Sequence, residues 1–392
     1  MAITRVLISG ASIAGPALAR WLGHNGFDVT VVEKAAELRP GGQAVDVKGR
    51  THRQILDHMG LWDELVAHET GRTDWRIVDE TDHVKAVIGG EFIGGDLEIL
   101  RGDLAHILYR HSENAAEYIF DDEIVALRET TDGVDVSFAQ SPSQRFDIVV
   151  GADGVHSAVR RLAFGPEERF VENLGYCYAV AGGRAPLDDL ETTRGDRGIA
   201  YGYNVPGRFA LLGGQKAPSL FVFRAGDLTY DRRDEQSQRA LLEAAFGDVG
   251  WRVPAALNAA LTASDFYLDS LTRSRMRSFT TGRSALVGDA GYANTLGGFG
   301  TGLALVGAYV LAGELASNRG DHEAAFASYN RRMAKPAKAA RSGNAGLFLA
   351  PRTEAGIRMR NRIFTNPLLY RSMLWMTDRF ATDDRIPTYD LV

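Results

Sequence analysis

A single cysteine, Cys177, stands among 392 residues. One thiol closes no disulfide framework and builds no cysteine metal site within the chain. The nine histidines fall at no metal-ligand spacing, so no metal is expected. Basic charge is not in excess either. Forty-four Lys and Arg against fifty Asp and Glu leave a net charge of −6, and no basic run is interleaved with aromatics. Nucleic acid is therefore not an expected partner. Long apolar runs are missing as well. The longest, 303–315, is interrupted by Gly307, Gly313 and Glu314. It is too short to span a bilayer and predicts a buried helix rather than a membrane span. No basic segment followed by an apolar stretch opens the chain, so no signal peptide is expected and a reducing cytoplasm is the simplest compartment. The remaining composition, 45% hydrophobic and 24% charged, is that of a soluble globular chain long enough for two domains.

Two glycine-rich turns supply the first positive information. Residues 3–8 read as an apolar strand, 14–24 as a helix and 27–33 as a second strand, with Gly10-Ala11-Ser12-Ile13-Ala14-Gly15 between the first strand and the helix. This is a βαβ unit whose tight turn places a pyrophosphate on a helix N-terminus. Gly10 permits the turn, Gly15 permits close helix–strand packing, and Pro16 sits in the first helical turn, where its missing N–H costs nothing. Ser12 occupies the position of the usual middle glycine. Glu33 ends the second strand, 23 residues after Gly10, placed to accept from an adenosine ribose. The second turn, Gly288-Asp289-Ala290-Gly291-Tyr292, follows the apolar run 284–287 and leads into a long helix. A dinucleotide with two widely separated ends needs two such sites, which suits FAD better than NAD alone.

Between these turns the pattern changes. Residues 123–129 and 134–138 read as a hairpin through Asp132-Gly133, and 146–151 as a buried strand. Segments 176–180, 199–203, 209–212 and 220–223 alternate as sheet strands, followed by helices at 235–247 and 253–262. The expected organisation is α/β: a Rossmann-like FAD-binding domain with an inserted antiparallel β-sheet substrate domain and a helical C-terminus. Its first FAD-binding part spans 1–171, the substrate sheet 172–280, the return segment 281–320 and the helical region 321–392.

Three further segments complete the pattern. Asp153-Gly154-Val155-His156-Ser157-Ala158-Val159-Arg160 follows one buried strand, Gly288-Asp289-Ala290 follows another, and Arg101 opens a helix before both. With these motifs, in this order, the chain resembles the FAD-dependent aromatic hydroxylases, the single-component class A flavoprotein monooxygenases, from residue 3 to about residue 316. The resemblance implies FAD as cofactor, NADPH or NADH as cosubstrate, O2, and an aromatic or polycyclic substrate. It implies that Gly10, Ser12, Ile13, Ala14 and Gly15 hold the pyrophosphate, Glu33 and Lys34 the adenosine, Arg101 the pyrophosphate or ribityl region, and Asp289 the ribityl hydroxyls. Asp153 would lie by the pyrophosphate and the NAD(P)H path. The backbone of Gly298, Gly300, Thr301 and Gly302 would approach the flavin ring.

One departure stands out. Family members carry a proline after G-D-A-x-x and then G-Q-G, whereas here Ala293-Asn294-Thr295-Leu296-Gly297-Gly298-Phe299-Gly300 lacks the proline and has Phe299 in place of glutamine. Loss of proline predicts a freer loop, with Phe299 walling the flavin or the substrate. Candidate substrate residues on the inserted sheet are Tyr178, Tyr201, Tyr203, Phe221, Phe223 and Arg224, the two i, i+2 pairs each sharing one face. No catalytic acid or base declares itself. An FAD dehydrogenase or oxidase without oxygen insertion, and a non-catalytic flavin-binding regulator, are the alternatives. A monomer or homodimer is expected.

Overall fold

The computed structural model describes residues 3–38, 43–182, 186–214, 219–226, 230–232, 234–298, 300–380 and 386–392. Its first sheet runs in the order Thr280–Thr281, Ser284–Leu286, Ile148–Gly151, Arg5–Ser9, Asp28–Glu33, Glu117–Phe120. Four of its five junctions are parallel, pairing Val149 with Ser284, Val6 with Ile148, Arg5 with Asp28 and Thr30 with Glu117. Val6, Leu7, Ile8, Val149 and Val150 are fully buried, because helices cover both faces of a parallel sheet and leave no polar side for its central strands. The helices Ala14–His24 and Gly300–Ser317 pack against each other over this sheet. Gly300–Ser317 has 18 residues and a mean hydropathy of 1.3, long and apolar enough to cross a membrane by that measure alone. However, 78% of it is buried inside the protein. It is a core helix of this domain, longer than the apolar run in the sequence suggests.

The glycine turn closes as its residues require. Gly10 lies at φ +104°, and a Cβ there would sit 2.6 Å from the Ala152 carbonyl oxygen. A Cβ on Gly15 would sit 1.9 Å from the Gly10 oxygen. Both positions exclude any side chain on steric grounds alone.

The second sheet runs Tyr267–Ser274, Val171–Ala181, Ser219–Arg224, Arg208–Leu212, Arg197–Val205, Thr73–Val78, Val84–Ile88. Two of its strands come from the segment before residue 172. Arg197–Val205 and Thr73–Val78 run parallel, with Gly198 opposite Thr73. The sheet is thus mixed rather than purely antiparallel: Thr73–Val78 arrives from the first domain by a crossover, and a crossover joins parallel neighbours where a hairpin cannot. The helices Glu235–Phe246 and Val253–Thr262 cover its back face. On its front face, Trp75, Tyr176, Phe209, Leu211, Val222 and Leu271 pack with Leu349 and Phe364 of the C-terminal helices Ala345–Leu349 and Glu354–Thr365. Arg360 fastens that cover. It is 5% exposed and donates to the Leu349 carbonyl at 3.0 Å and to Asn204 Oδ1 at 2.7 Å.

Candidate functional site

The strand end Glu33 turns back onto the glycine loop. Glu33 Oε2 accepts from the Ala11 N–H at 2.8 Å, and Oε1 accepts from the Ala35 N–H at 2.9 Å. Each carboxylate oxygen takes one backbone donor and keeps a lone pair for a ligand hydroxyl. Lys34 is exposed beside it, and Ile13, Ala14 and Gly15 are buried in the helix start. Arg101, the first residue of the helix Arg101–Arg110, donates from Nη2 to Ser12 Oγ at 3.2 Å across the mouth of the loop.

Asp153 sits where the next strand ends. Its Oδ2 accepts from the Ala158 and Val159 amides at 2.8 and 3.2 Å and from Ser9 Oγ at 3.3 Å. It therefore binds the N-terminus of the helix Ala158–Ala163 to the strand that feeds the glycine loop. Oδ1 is buried and has no hydrogen-bond partner among the described residues. Burial raises the Asp153 pKa, opposed by donors from Ser157 and the helix amides.

Arg160 closes the motif. Only 1% exposed, it donates to the Ala290 carbonyl at 2.9 Å, to the Val155 carbonyl, and to Glu167 Oε2 at 3.2 Å. The D-G and G-D-A segments, 130 residues apart, are thus held to each other by one guanidinium. Ala290 belongs to the short helix Asp289–Tyr292. Solvent reaches Asp289 through the cleft, yet the protein enclosing it raises its pKa, opposed by the charge of Arg101.

The loop before Gly300–Ser317 is tied down rather than free. Thr295 N–H donates to the Thr272 carbonyl at 3.0 Å, Ser274 N–H to the Ala293 carbonyl at 2.8 Å, and Asn294 Nδ2 to the Ala340 carbonyl at 2.9 Å. The missing proline is offset by these cross-links, and Leu296 is held at φ +56°, a conformation that costs a leucine about 1 kcal/mol or more. Gly298 is exposed toward open space, a Cβ on the exposed Gly300 would stand 3.5 Å from Asp289 Oδ1, Thr301 is half-buried, and Gly302 packs against the His52 ring. Phe299 lies outside the described residues.

The substrate candidates divide. Tyr201, Tyr203, Phe221 and Phe223 belong to the back-face core. Phe221 and Phe223 meet the Phe246 ring at 5.1 and 5.8 Å, Tyr203 stacks on Trp251 at 5.3 Å, and Tyr201 Oη donates to the Glu191 carbonyl at 2.8 Å. They fill the space under the two helices and cannot line the cleft. Arg224 is exposed at a strand end. Tyr178 is on the opposite face. Its ring lies 5.9 Å from that of Tyr267, and the Arg101 charge acts on both tyrosines as it does on Asp289. Burial raises the Tyr178 pKa. Ser12, Arg101, Asp289 and Tyr178 therefore face one cleft between the two sheets. Tyr267, Asp269 and His156 border it and were not singled out by sequence reasoning.

The FAD binding domain family matches residues 3–342. A flavin-dependent monooxygenase of Legionella longbeachae is 37% identical over 83% of this chain and 84% of its own. The crystal structure of tetracycline destructase Tet(51) superposes with a TM-score of 0.82 at 29% identity, over 99% of this chain and all of that one. Klebsiella pneumoniae HpxO complexed with FAD and uric acid shares the fold, with a TM-score of 0.73 at 20% identity over 96% of each chain. The chain belongs to this family of FAD-dependent monooxygenases.

The enzyme takes FAD, and its residues fit that group. The Gly10–Gly15 turn has backbone where any side chain would stand. Arg101 and Asp289 put a cation and a carboxylate on the same cleft. Behind the glycine turn, Asp153, whose Cα lies 3.0 Å from where a Gly10 Cβ would stand, keeps one carboxylate oxygen without a partner among the described residues. Cys177 lies in the back-face core, where burial raises its pKa to about 12, so it holds no reactive thiolate for covalent attachment.

Proposed function

We propose that this enzyme uses NAD(P)H and O2 to insert oxygen into an aromatic or polycyclic small molecule bound against the front face of the inserted sheet. The observation that carries the reading is Arg101, which bonds Ser12 of the glycine loop and whose charge acts on both Asp289 of the nucleotide domain and Tyr178 of the inserted sheet. The name of the tetracycline destructase relative supports a polycyclic substrate. In this reading Gly10 to Gly15 cradle the pyrophosphate at a helix N-terminus, Glu33 accepts from the adenosine ribose, and Asp289 accepts from the ribityl hydroxyls. The N-terminus of Gly300–Ser317 favours negative charge on the reduced ring. FAD held there would supply the hydride-accepting and dioxygen-activating chemistry. The chain's part is to orient the substrate and exclude water. The covered front face and the anchored 293–298 loop suit that work.

The test is an isotope experiment. The holoenzyme is supplied with NADPH or NADH and labelled dioxygen, with tetracycline and anhydrotetracycline as probes. The expected outcome is probe-stimulated NAD(P)H consumption and one labelled oxygen in the product. Oxidised product without label would establish a dehydrogenase instead.

A further inference from the structure

We propose that His52 takes up a proton at Nε2 when the bound FAD is reduced, so that the protein rather than the cofactor supplies the balancing positive charge. The proposal rests on the reading above that the reduced ring meets the N-terminus of Gly300–Ser317, and it adds a titrating side chain to that terminus.

His52 belongs to the helix Arg50–His58, which packs on Gly300–Ser317. It is 7% exposed, and its ring fills the place that a side chain on Gly302 would take. A Cβ there would stand 2.5 Å from His52 Nε2 and 2.7 Å from Cε1. Gly302 is the third residue of its helix, in the first turn, where backbone N–H groups have no intrahelical acceptor. His52 Nδ1 bonds the Lys48 carbonyl. A carbonyl only accepts, so Nδ1 carries the ring proton, and Nε2 of the neutral imidazole is a bare acceptor. Nε2 has no hydrogen-bond partner among the described residues. A buried, titratable nitrogen is thus aimed at the donor end of an 18-residue helix.

Burial lowers the His52 pKa, opposed by the Lys48 carbonyl and the Asp96 charge. The positive end of a helix also disfavours an imidazolium. The ring is therefore neutral at pH 7 while the cofactor is oxidised. Negative charge arriving at the helix end reverses that balance. A hydride from NAD(P)H brings two electrons and one proton to the cofactor and leaves it one unit more negative. One further proton comes from solvent to Nε2. His52 then donates from both nitrogens, Nδ1–H to Lys48 and Nε2–H toward the new charge. Two carboxylates border this turn. Asp96, whose Oδ2 accepts from the Gly49 N–H at 2.7 Å, favours the imidazolium. Asp289, whose Oδ1 lies 3.5 Å from where a Cβ on Gly300 would stand, is under the charge of Arg101 and has its own pKa raised by burial. It is the competing proton acceptor.

The test is the midpoint potential of the FAD holoenzyme, followed by flavin absorbance between pH 7 and 8. For a two-electron couple, each proton taken up changes the equilibrium tenfold per pH unit, or about 30 mV. The native potential is expected to fall by about 59 mV per pH unit, two protons with two electrons. His52→Gln and His52→Leu are expected to fall by about 30 mV per pH unit and to lie lower at pH 7 by a tenfold or greater change in the equilibrium, about 30 mV or more. Gln keeps a donor for the Lys48 carbonyl, and Leu keeps the volume against Gly302. A native slope of about 30 mV per pH unit overturns the proposal. A steep slope that survives in both variants also overturns it and assigns the proton to Asp289 or to the cofactor itself. A steep native slope lost in the variants, with no labelled oxygen in the isotope experiment, leaves the proposal standing and removes the oxygenase reading. Label incorporation with equal slopes does the reverse.

Discussion

The inserted sheet carries aromatic residues on both faces, and the two faces are different in kind. The back face is Tyr201, Tyr203, Phe221 and Phe223 packed under helices that follow closely in the sequence, with Phe246 filling the gap between rings. The front face beside the cleft is Tyr178 and Tyr267 with a buried carboxylate, and the groups that act on it, the Arg101 charge and the His156 ring, lie far away along the chain. Alternation along a strand determines which side chains share a face. It is silent on which face is sealed by its own neighbours and which is left to a ligand.

Three substitutions sharpen that contrast. The largest effect should come from the sealed side. Phe221→Ala removes a fully buried ring and should cost about 3–5 kcal/mol of stability by the usual large-to-small rule, measured by denaturant unfolding of the holoenzyme. Ligand dissociation constants should be unchanged under conditions where the variant is folded. A small stability loss accompanied by lost ligand affinity would reverse the assignment of the two faces.

On the open side, Asp289→Ala should act on the cofactor instead. A charge-assisted hydrogen bond contributes about 1.5–3 kcal/mol, so FAD affinity should fall by about tenfold or more, read by flavin fluorescence after dialysis. Undiminished FAD retention in a folded variant would reduce Asp289 to a structural carboxylate of its short helix.

The smallest effect belongs to the seam from which both faces hang. Glu172, at the root of the strand Val171–Ala181, bonds Arg275 and Arg273, and these hold its pKa below the ordinary carboxylate value. A depressed folded pKa adds stability that is fully present above about pH 4.5 and fades as pH falls toward the folded value. For a partly exposed pair the amount is under about 1 kcal/mol. Glu172→Gln should therefore lower stability slightly at pH 7 and flatten the acid limb of the unfolding curve. An acid limb parallel to that of the native protein would remove the pair from the ledger.

The nucleotide half was legible in the sequence because its determinants are contiguous. Gly10, Gly15 and Glu33 act within one βαβ unit, and the strand–turn–helix they predict is the one observed. Four strands of the inserted sheet, 176–180, 199–203, 209–212 and 220–223, were legible, but their company was not. Nothing local announces that Thr73–Val78 joins it in parallel, or that Arg160 reaches Ala290. Tyr267 and Asp269 escaped for a related reason. The strand Tyr267–Ser274 was not read as alternating, although an aspartate inside it was the available signal that a buried acceptor waits for donors. The 293–300 loop misled in the opposite direction, since the loss of a proline says nothing about the carbonyls of Thr272 and Ala340 that hold the new path.

The strand Ser284–Leu286, which pairs with Ile148–Gly151 near one edge of the nucleotide sheet, also has a consequence on the ribosome. The first sheet begins with residue 5 and is not complete until residue 286 has been made, whereas the whole of the inserted sheet and both its back-face helices are synthesised within that interval. The insert can close over its own aromatic core while its host still exposes the apolar flank of Ile148–Gly151. During synthesis the guest domain precedes the host, and the vulnerable nascent species is the half-built nucleotide sheet. Chaperone demand and aggregation of nascent chains should therefore peak in chains stalled just before residue 284 and drop once the helix Gly300–Ser317 has emerged to cover that sheet.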